Sequence, residues 1–73
     1  MKIKPVAIFI PSLVRERRVA LGLRQAELAE RAGVSETTVV LMENGRKEPK
    51  VNTLAKVAAA LCEGPGFFFA FGA

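Results

Sequence analysis

The sequence predicts a mainly α-helical domain of four short helices with a short apolar strand at each end. Three observations carry this. Two stretches with helix-like spacing, from about Gln25 to Ala32 and from about Glu36 to Asn44, are joined only through Gly33-Val34-Ser35. Leu54, Val57, Ala58 and Leu61 fall at i, i+3, i+4 and i+7, one apolar face of a helix. Residues 6–10 and 67–71 are apolar runs set off by Pro5 and Pro11 and by Gly66 and Gly72, rich in the β-branched and aromatic residues that favour strands.

Taken in order, Val6-Ala7-Ile8-Phe9-Ile10 reads as a strand. Ser12 is placed to cap a first helix over about 13–21, with Leu13, Val14 and Leu21 on its apolar side and Gly22 at its end. In the second helix Leu28, Ala29 and Ala32 share a face. Glu27 and Arg31 stand at i and i+4, in the favourable order for an ion pair. Gly33 supplies the positive φ that a tight helix end requires. Ser35 caps the third helix, Val39 and Met42 share its inner side, and Gly45 stops it. After the basic loop Arg46-Lys47-Glu48-Pro49-Lys50, Asn52 or Thr53 starts the fourth helix. Gly64-Pro65-Gly66 forbids its continuation, and Phe67-Phe68-Phe69-Ala70-Phe71 is expected to be a strand. The expected organisation is one domain: an arm over 1–11, a helical core over 12–61 and an apolar strand within 64–73.

Composition narrows the function. A 73-residue chain with 51% apolar residues can fold as one small domain, but only about 60% of its unfolded surface is buried, so self-association is expected. The sequence contains no His, Asp, Trp or Tyr, and Cys62 is its single cysteine. That leaves no zinc set, no internal disulfide and no nucleophile paired with a base, so no cofactor, no metal and no enzymatic activity are expected. Cys62, beside alanines and leucines, is expected to be a small buried hydrophobe. The start MKIKPVAIFIPSLV faintly imitates a secretion signal, but Pro11 interrupts its apolar run and Arg15-Glu16-Arg17-Arg18 follows. No run approaches the roughly 18 apolar residues of a membrane span. A cytoplasmic, nucleoid-associated protein is expected.

The net charge of +4 is unevenly placed. Lys2 and Lys4 are positive, and so is the first helix, where Arg15, Arg17 and Arg18 outweigh Glu16. The middle is acidic, with Arg24 and Arg31 against Glu27, Glu30, Glu36 and Glu43. Arg46, Lys47, Lys50 and Lys56 against Glu48 then restore positive charge. Two short helices joined by a glycine turn form a helix-turn-helix arrangement. In that geometry the first helix crosses a phosphate backbone while the second enters the major groove, so flanking positive charge has a purpose.

The segment 13–61 resembles the Cro and phage-repressor type of helix-turn-helix domain, the XRE family. The resemblance rests on Arg18 with Gly22-Leu23, Gln25-Ala26-Glu27-Leu28-Ala29, Gly33-Val34-Ser35 and Glu43-Asn44-Gly45. It continues through Pro49, Thr53-Leu54, Lys56-Val57-Ala58 and Ala60-Leu61. It implies a lambda-repressor-like fold that binds double-stranded DNA, as a homodimer on a palindromic operator, in a transcriptional repressor. It further implies that Gln25 contacts a phosphate or braces the recognition helix, and that Ser35, Glu36, Thr37 and Thr38 open that helix toward base edges. Asn44, Arg46 and Lys47 would bind phosphates beyond its end, and Arg15 and Arg18 would reach the backbone from the first helix. Where relatives often carry Arg, Lys, Gln or Ser, this sequence has Glu36, Val40 and Leu41. Val40 and Leu41 either contact bases, belong partly to the core or cover a protein interface. Arg18 has a second reading, an internal salt bridge to Glu27 or Glu43.

The ends depart from the family, which commonly adds a fifth helix. The two terminal strands are expected to pair with each other or with their copies across a two-fold axis, placing Ile8, Ile10, Phe67, Phe68, Phe69 and Phe71 at a dimer interface. Some antitoxins of toxin–antitoxin operons resemble this plan, which would add a toxin as partner. The other reading packs 67–71 as a tail on its own domain. The rival to a DNA-binding regulator is a protein-interaction module that keeps the fold without reading DNA.

Overall fold

The computed structural model describes residues 6–72. Lys2 and Lys4, and with them most of the expected arm, lie outside the described residues. The chain runs β1 (Val6–Phe9), α1 (Pro11–Ala20), α2 (Gln25–Ala32), α3 (Glu36–Glu43), α4 (Val51–Ala60), a 3-10 turn (Pro65–Phe68) and β2 (Phe69–Gly72). β1 and β2 are antiparallel partners within the chain, pairing Val6 with Gly72, Ala7 with Phe71, Ile8 with Ala70 and Phe9 with Phe69. The Ile10 backbone N–H donates to the Phe68 carbonyl at 2.8 Å and extends the ladder to the start of α1. Of the two pairings expected for the terminal strands, this is the intrachain one.

Helix starts follow local chemistry, with two corrections. α1 begins at Pro11 and not after Ser12, with Ile10 as N-cap. Proline fits the first helical position because its fixed φ is already helical and its missing N–H would have no partner there. α4 begins at Val51, ahead of Asn52 and Thr53. The extended backbone of Lys50 (φ −68°, ψ 154°) leads into it, with no side-chain cap. Ser35 does cap α3, its hydroxyl accepting from the Thr38 N–H at 3.1 Å.

All four helices end alike. In α1, Leu23 N–H donates to Arg18 O and Gly22 N–H to Val19 O. Val34 and Gly33 make the same pair of bonds to Ala29 and Glu30, and Arg46 and Gly45 to Leu41 and Met42. Glu63 and Cys62 make them to Ala58 and Ala59. This is the Schellman arrangement, which puts one residue in the left-handed region. Gly22, Gly33 and Gly45 fill that place at φ 70°, 71° and 68°, and Cys62 fills it at φ 60°. The expectation of a buried Cys62 is therefore corrected: the thiol is exposed, because the residue after the last core position of α4 turns outward to close the helix.

The core is Val14 of α1, Leu23, Leu28, Ala29 and Ala32 of and before α2, Val39 and Met42 of α3, Leu54, Val57, Ala58 and Leu61 of and after α4, and Phe68. The last was expected on a strand at a dimer interface, and both parts are corrected. Phe67 and Phe68 belong to the 3-10 turn, which packs against α1 and α4 and drops Phe68 into the core, fully buried. A buried ring has no surface to give a partner. Phe68 meets Phe67 with ring centres 5.2 Å apart, and Phe9 meets Phe69 at 5.9 Å across the sheet, both in edge-to-face geometry. Phe69 is half-buried.

Candidate nucleic-acid interface

α2 and α3 pack on each other through a turn of three residues, with Gly33 left-handed, Val34 half-buried and Ser35 extended. Val39 and Met42 are buried, so α3 is pinned by its inner side. At 3.6 residues per turn, the opposite side carries Glu36, Thr37, Val40, Leu41 and Asn44. Glu36, Thr37 and Asn44 are exposed; Val40 and Leu41 are half-buried.

A polar lock fixes the far end of α3. Arg18 of α1 donates through Nε to Glu43 Oε2 at 2.6 Å and through Nη2 to Glu43 Oε1 at 3.0 Å. Its Nη1 donates to the Leu23 carbonyl at 2.8 Å. Gln25 Nε2 donates to the same Glu43 at 3.2 Å. The side chains of Arg18 and Glu43 retain 12% and 3% of their exposure. The hydrogen bond to Glu43 raises the Arg18 pKa above the ordinary guanidinium value, against the opposing effect of burial. Of the two readings of Arg18, the geometry selects the internal bridge, and to Glu43. The phosphate role is corrected: all three guanidinium nitrogens are already engaged. Gln25, expected either to touch phosphate or to brace α3, makes the bracing bond.

Other candidates are placed as follows. The Ser35 hydroxyl lies 2.8 Å from the Thr38 hydroxyl as well as capping α3, so both are engaged in the helix start. Arg46 and Lys47 are exposed directly after the Gly45 turn, and the Arg46 N–H closes α3 on the Leu41 carbonyl at 3.0 Å. Lys47 and Glu48 line a groove with Ile8, Phe9, Pro11 and Gly45. Arg15 is exposed on the outer side of α1 beside Ser12, Glu16, Val19 and Ala20.

The i,i+4 pair expected between Glu27 and Arg31 is replaced. Glu27 accepts instead from the Arg24 backbone N–H at 3.0 Å and from Arg24 Nε at 3.1 Å, closing the first turn of α2. The backbone bond has the larger part in holding its carboxyl below the ordinary value of 4.5, and Arg31 adds only a weaker charge attraction. Sequence reasoning also passed over Arg17, which bridges to Glu63 at 3.3 Å and donates to the Leu61 carbonyl at 3.2 Å. These residues lie more than 40 positions apart in sequence, and no local pattern joins them. Of the expected dimer residues, Ile8 is 56% and Phe67 44% exposed, and Ile10 is half-buried. Phe71 lies on β2, with its side chain outside the described ones.

The helix-turn-helix family model matches residues 14–61. A curated relative, an HTH-type transcriptional regulator of Methanothermobacter thermautotrophicus, is 46% identical over 50 residues, covering 68% of this chain and 72% of its own. The restriction-modification controller protein of Aeromonas hydrophila superposes with a TM-score of 0.78 at 32% identity, covering 81% of this chain and 89% of that one. The P22 c2 repressor protein, solved in complex with a synthetic operator, superposes with a TM-score of 0.77 at 30% identity over 84% of this chain and 92% of that one.

Proposed function

Because this chain belongs to the helix-turn-helix family of DNA-binding transcription regulators, we propose that it acts as a dimeric repressor, seating α3 in the major groove of a palindromic operator. The observation that carries the reading is the fixation of α3. One side is buried in the core, its start is capped by Ser35, and its end is clamped by Arg18, Gln25 and Glu43. A helix held along one side and at both ends presents its outer side to a ligand at reduced ordering cost. The likeness to the P22 c2 repressor on its operator supports DNA as that ligand. Gene control then follows by occupancy of a promoter.

Arg46 and Lys47, at the end of α3, and Arg15, on α1, are the phosphate-binding cations in this reading. They position the protein, and the exposed side of α3 specifies the site. The dimer is supported at the terminal strands. Each strand of the two-stranded sheet has one edge without a strand neighbour among the described residues, and a sheet this small is weak alone. Exposed Ile8 and Phe67 would be covered by a second copy.

Selection of binding sites from a randomised duplex pool at near-physiological salt tests the function. Enrichment of a short palindrome with half-sites about one helical turn apart is expected. Weak, salt-sensitive binding without enrichment would instead make α3 a protein-binding surface.

A further inference from the structure

We propose that this chain identifies its DNA site through the C5 methyl group of pyrimidines, received by Val40 and Leu41 with the Thr37 methyl beside them. The inference rests on the DNA-binding reading above and specifies what α3 recognises. The outward side of α3, opposite Val39 and Met42, spans about 140° of the helix at 100° per residue; on it Glu36, Thr37 and Asn44 are exposed and Val40 and Leu41 are half-buried, each keeping part of its aliphatic surface open. None of these is Arg, Lys or Gln. Guanine offers the major groove two acceptors and is read bidentately by Arg or Lys, which α3 lacks there; the Thr37 hydroxyl can donate to a base edge but discriminates little between bases. Adenine is read by Asn or Gln, and the one candidate is Asn44, at the C-cap.

What α3 does offer is aliphatic surface and one carboxylate. Val40 lies near the centre of the exposed side, with Leu41 on one flank and Glu36 on the other. Neither Glu36 nor Thr37 makes a side-chain hydrogen bond among the described residues. Thymine is the base with an apolar group on its major-groove edge, and cytosine presents an N4 donor that a carboxylate accepts. Glu36 and Val40 stand one turn apart on the same side. Together they match a cytosine and a methyl-bearing pyrimidine, the latter being thymine or 5-methylcytosine. The rigid seating of α3 makes this match selective, because Val39, Met42 and the Arg18–Glu43 bridge prevent the helix from rolling another side toward the bases.

The test uses the full chain and the operator obtained by selection. Each thymine of a half-site is replaced singly by uracil, which removes the methyl and keeps base pairing. Each cytosine is replaced singly by 5-methylcytosine. At one or two thymines the uracil duplex is expected to bind about four-fold more weakly per methyl, the value of one buried methyl-sized group. A gain on methylating a cytosine, with no loss at any thymine, would assign the pocket to 5-methylcytosine instead. Val40→Ala should bring the thymine-to-uracil ratio toward one, whereas Lys47→Ala should weaken both duplexes equally and keep the ratio. An operator indifferent to both base replacements would overturn methyl recognition and leave the DNA-binding reading standing. Absence of any operator would overturn both.

Discussion

Arg18 and Glu43 face each other with two nearly parallel hydrogen bonds, Nε to Oε2 at 2.6 Å and Nη2 to Oε1 at 3.0 Å, and so tie α1 to the end of α3. A forked guanidinium–carboxylate pair is strong in geometry as well as charge. Its value lies less in net stability than in what its rupture leaves behind, since an unpaired charge with little solvent is costly. Glu43→Ala is therefore expected to lower unfolding stability by about 3 kcal/mol, measured by urea denaturation. Arg18→Lys should also be strongly destabilising despite keeping the charge, because a point charge cannot reproduce the fork and the third bond to Leu23. A loss below about 1 kcal/mol would show that the pair behaves as an ordinary surface bridge.

The left-handed residue after α4 is a cysteine where the other three helices have glycine. A side chain there costs about 1–2 kcal/mol of backbone strain. Cys62→Gly should raise stability by up to about 1 kcal/mol, glycine's greater freedom in the unfolded chain offsetting part of the relief. Gly33→Ala should do the reverse. A Cβ at Gly33 meets nothing within 4 Å, so its cost is backbone strain alone. Gly45→Ala should cost more, since its Cβ would lie 3.3 Å from Pro11 Cγ. Thermal melts of the three variants rank these effects. Equal loss at Gly33 and Gly45 would show that Pro11 yields.

The two adjacent phenylalanines of the 3-10 turn should behave oppositely. Phe68 is fully buried, and Phe68→Ala is expected to remove about 3–5 kcal/mol, close to the whole stability of so small a domain. Phe67 keeps 44% of its exposure, and Phe67→Ala should leave the melt of the isolated fold nearly unchanged. In the dimeric reading it should shift sedimentation toward the monomer. Equal destabilisation by the two would contradict their placement.

What was legible in the sequence was local. Gly33, the Ser35 cap, the Val39 and Met42 inner side and the Leu54–Leu61 stripe all act within one or two turns, and their spacing suffices. Phe68 escapes a sequence reading because the 3-10 turn over Pro65–Phe68 turns this ring into the core, and five apolar residues carry no period that distinguishes this from a strand. Cys62 carried a usable signal. Gly22, Gly33 and Gly45 each close a helix, and Cys62 holds the equivalent position after Leu61. The Arg18 partner could be narrowed to Glu27 or Glu43, but the choice depended on a contact 25 residues away. On the exposed side of α3 the residues were legible and their ligand contacts were not, because side chains without an internal partner leave no mark on the fold.

Acid should weaken the start of α2. Glu27 has its pKa held below 4.5, first by the Arg24 backbone N–H and then by the Arg24 side chain. A carboxyl with a folded pKa below its unfolded one contributes stability that is fully present above the unfolded value. That contribution fades as pH falls from about 4.5 through the folded value. The group is exposed, so the effect is small. Glu27→Gln should flatten the decline of stability in that window and leave the neutral-pH slope unchanged. An identical acid limb in the variant would remove Glu27 from the balance.

Phosphate contacts and base contacts leave different signatures in binding. Each phosphate neutralised by a cation steepens the dependence of log affinity on log salt by about 0.9. Arg46→Ala and Lys47→Ala, at the exposed turn beyond α3, should each lower that slope by about this amount and weaken all sequences alike. Thr37→Ala, on the exposed side of α3, should keep the slope and change which bases are preferred. Titrations on the selected operator and on a scrambled duplex at three salt concentrations separate the two classes. Identical behaviour of the three variants would sink the division of roles, because a cation that positions the backbone and a methyl-bearing side chain that meets a base edge have no common route to the salt dependence.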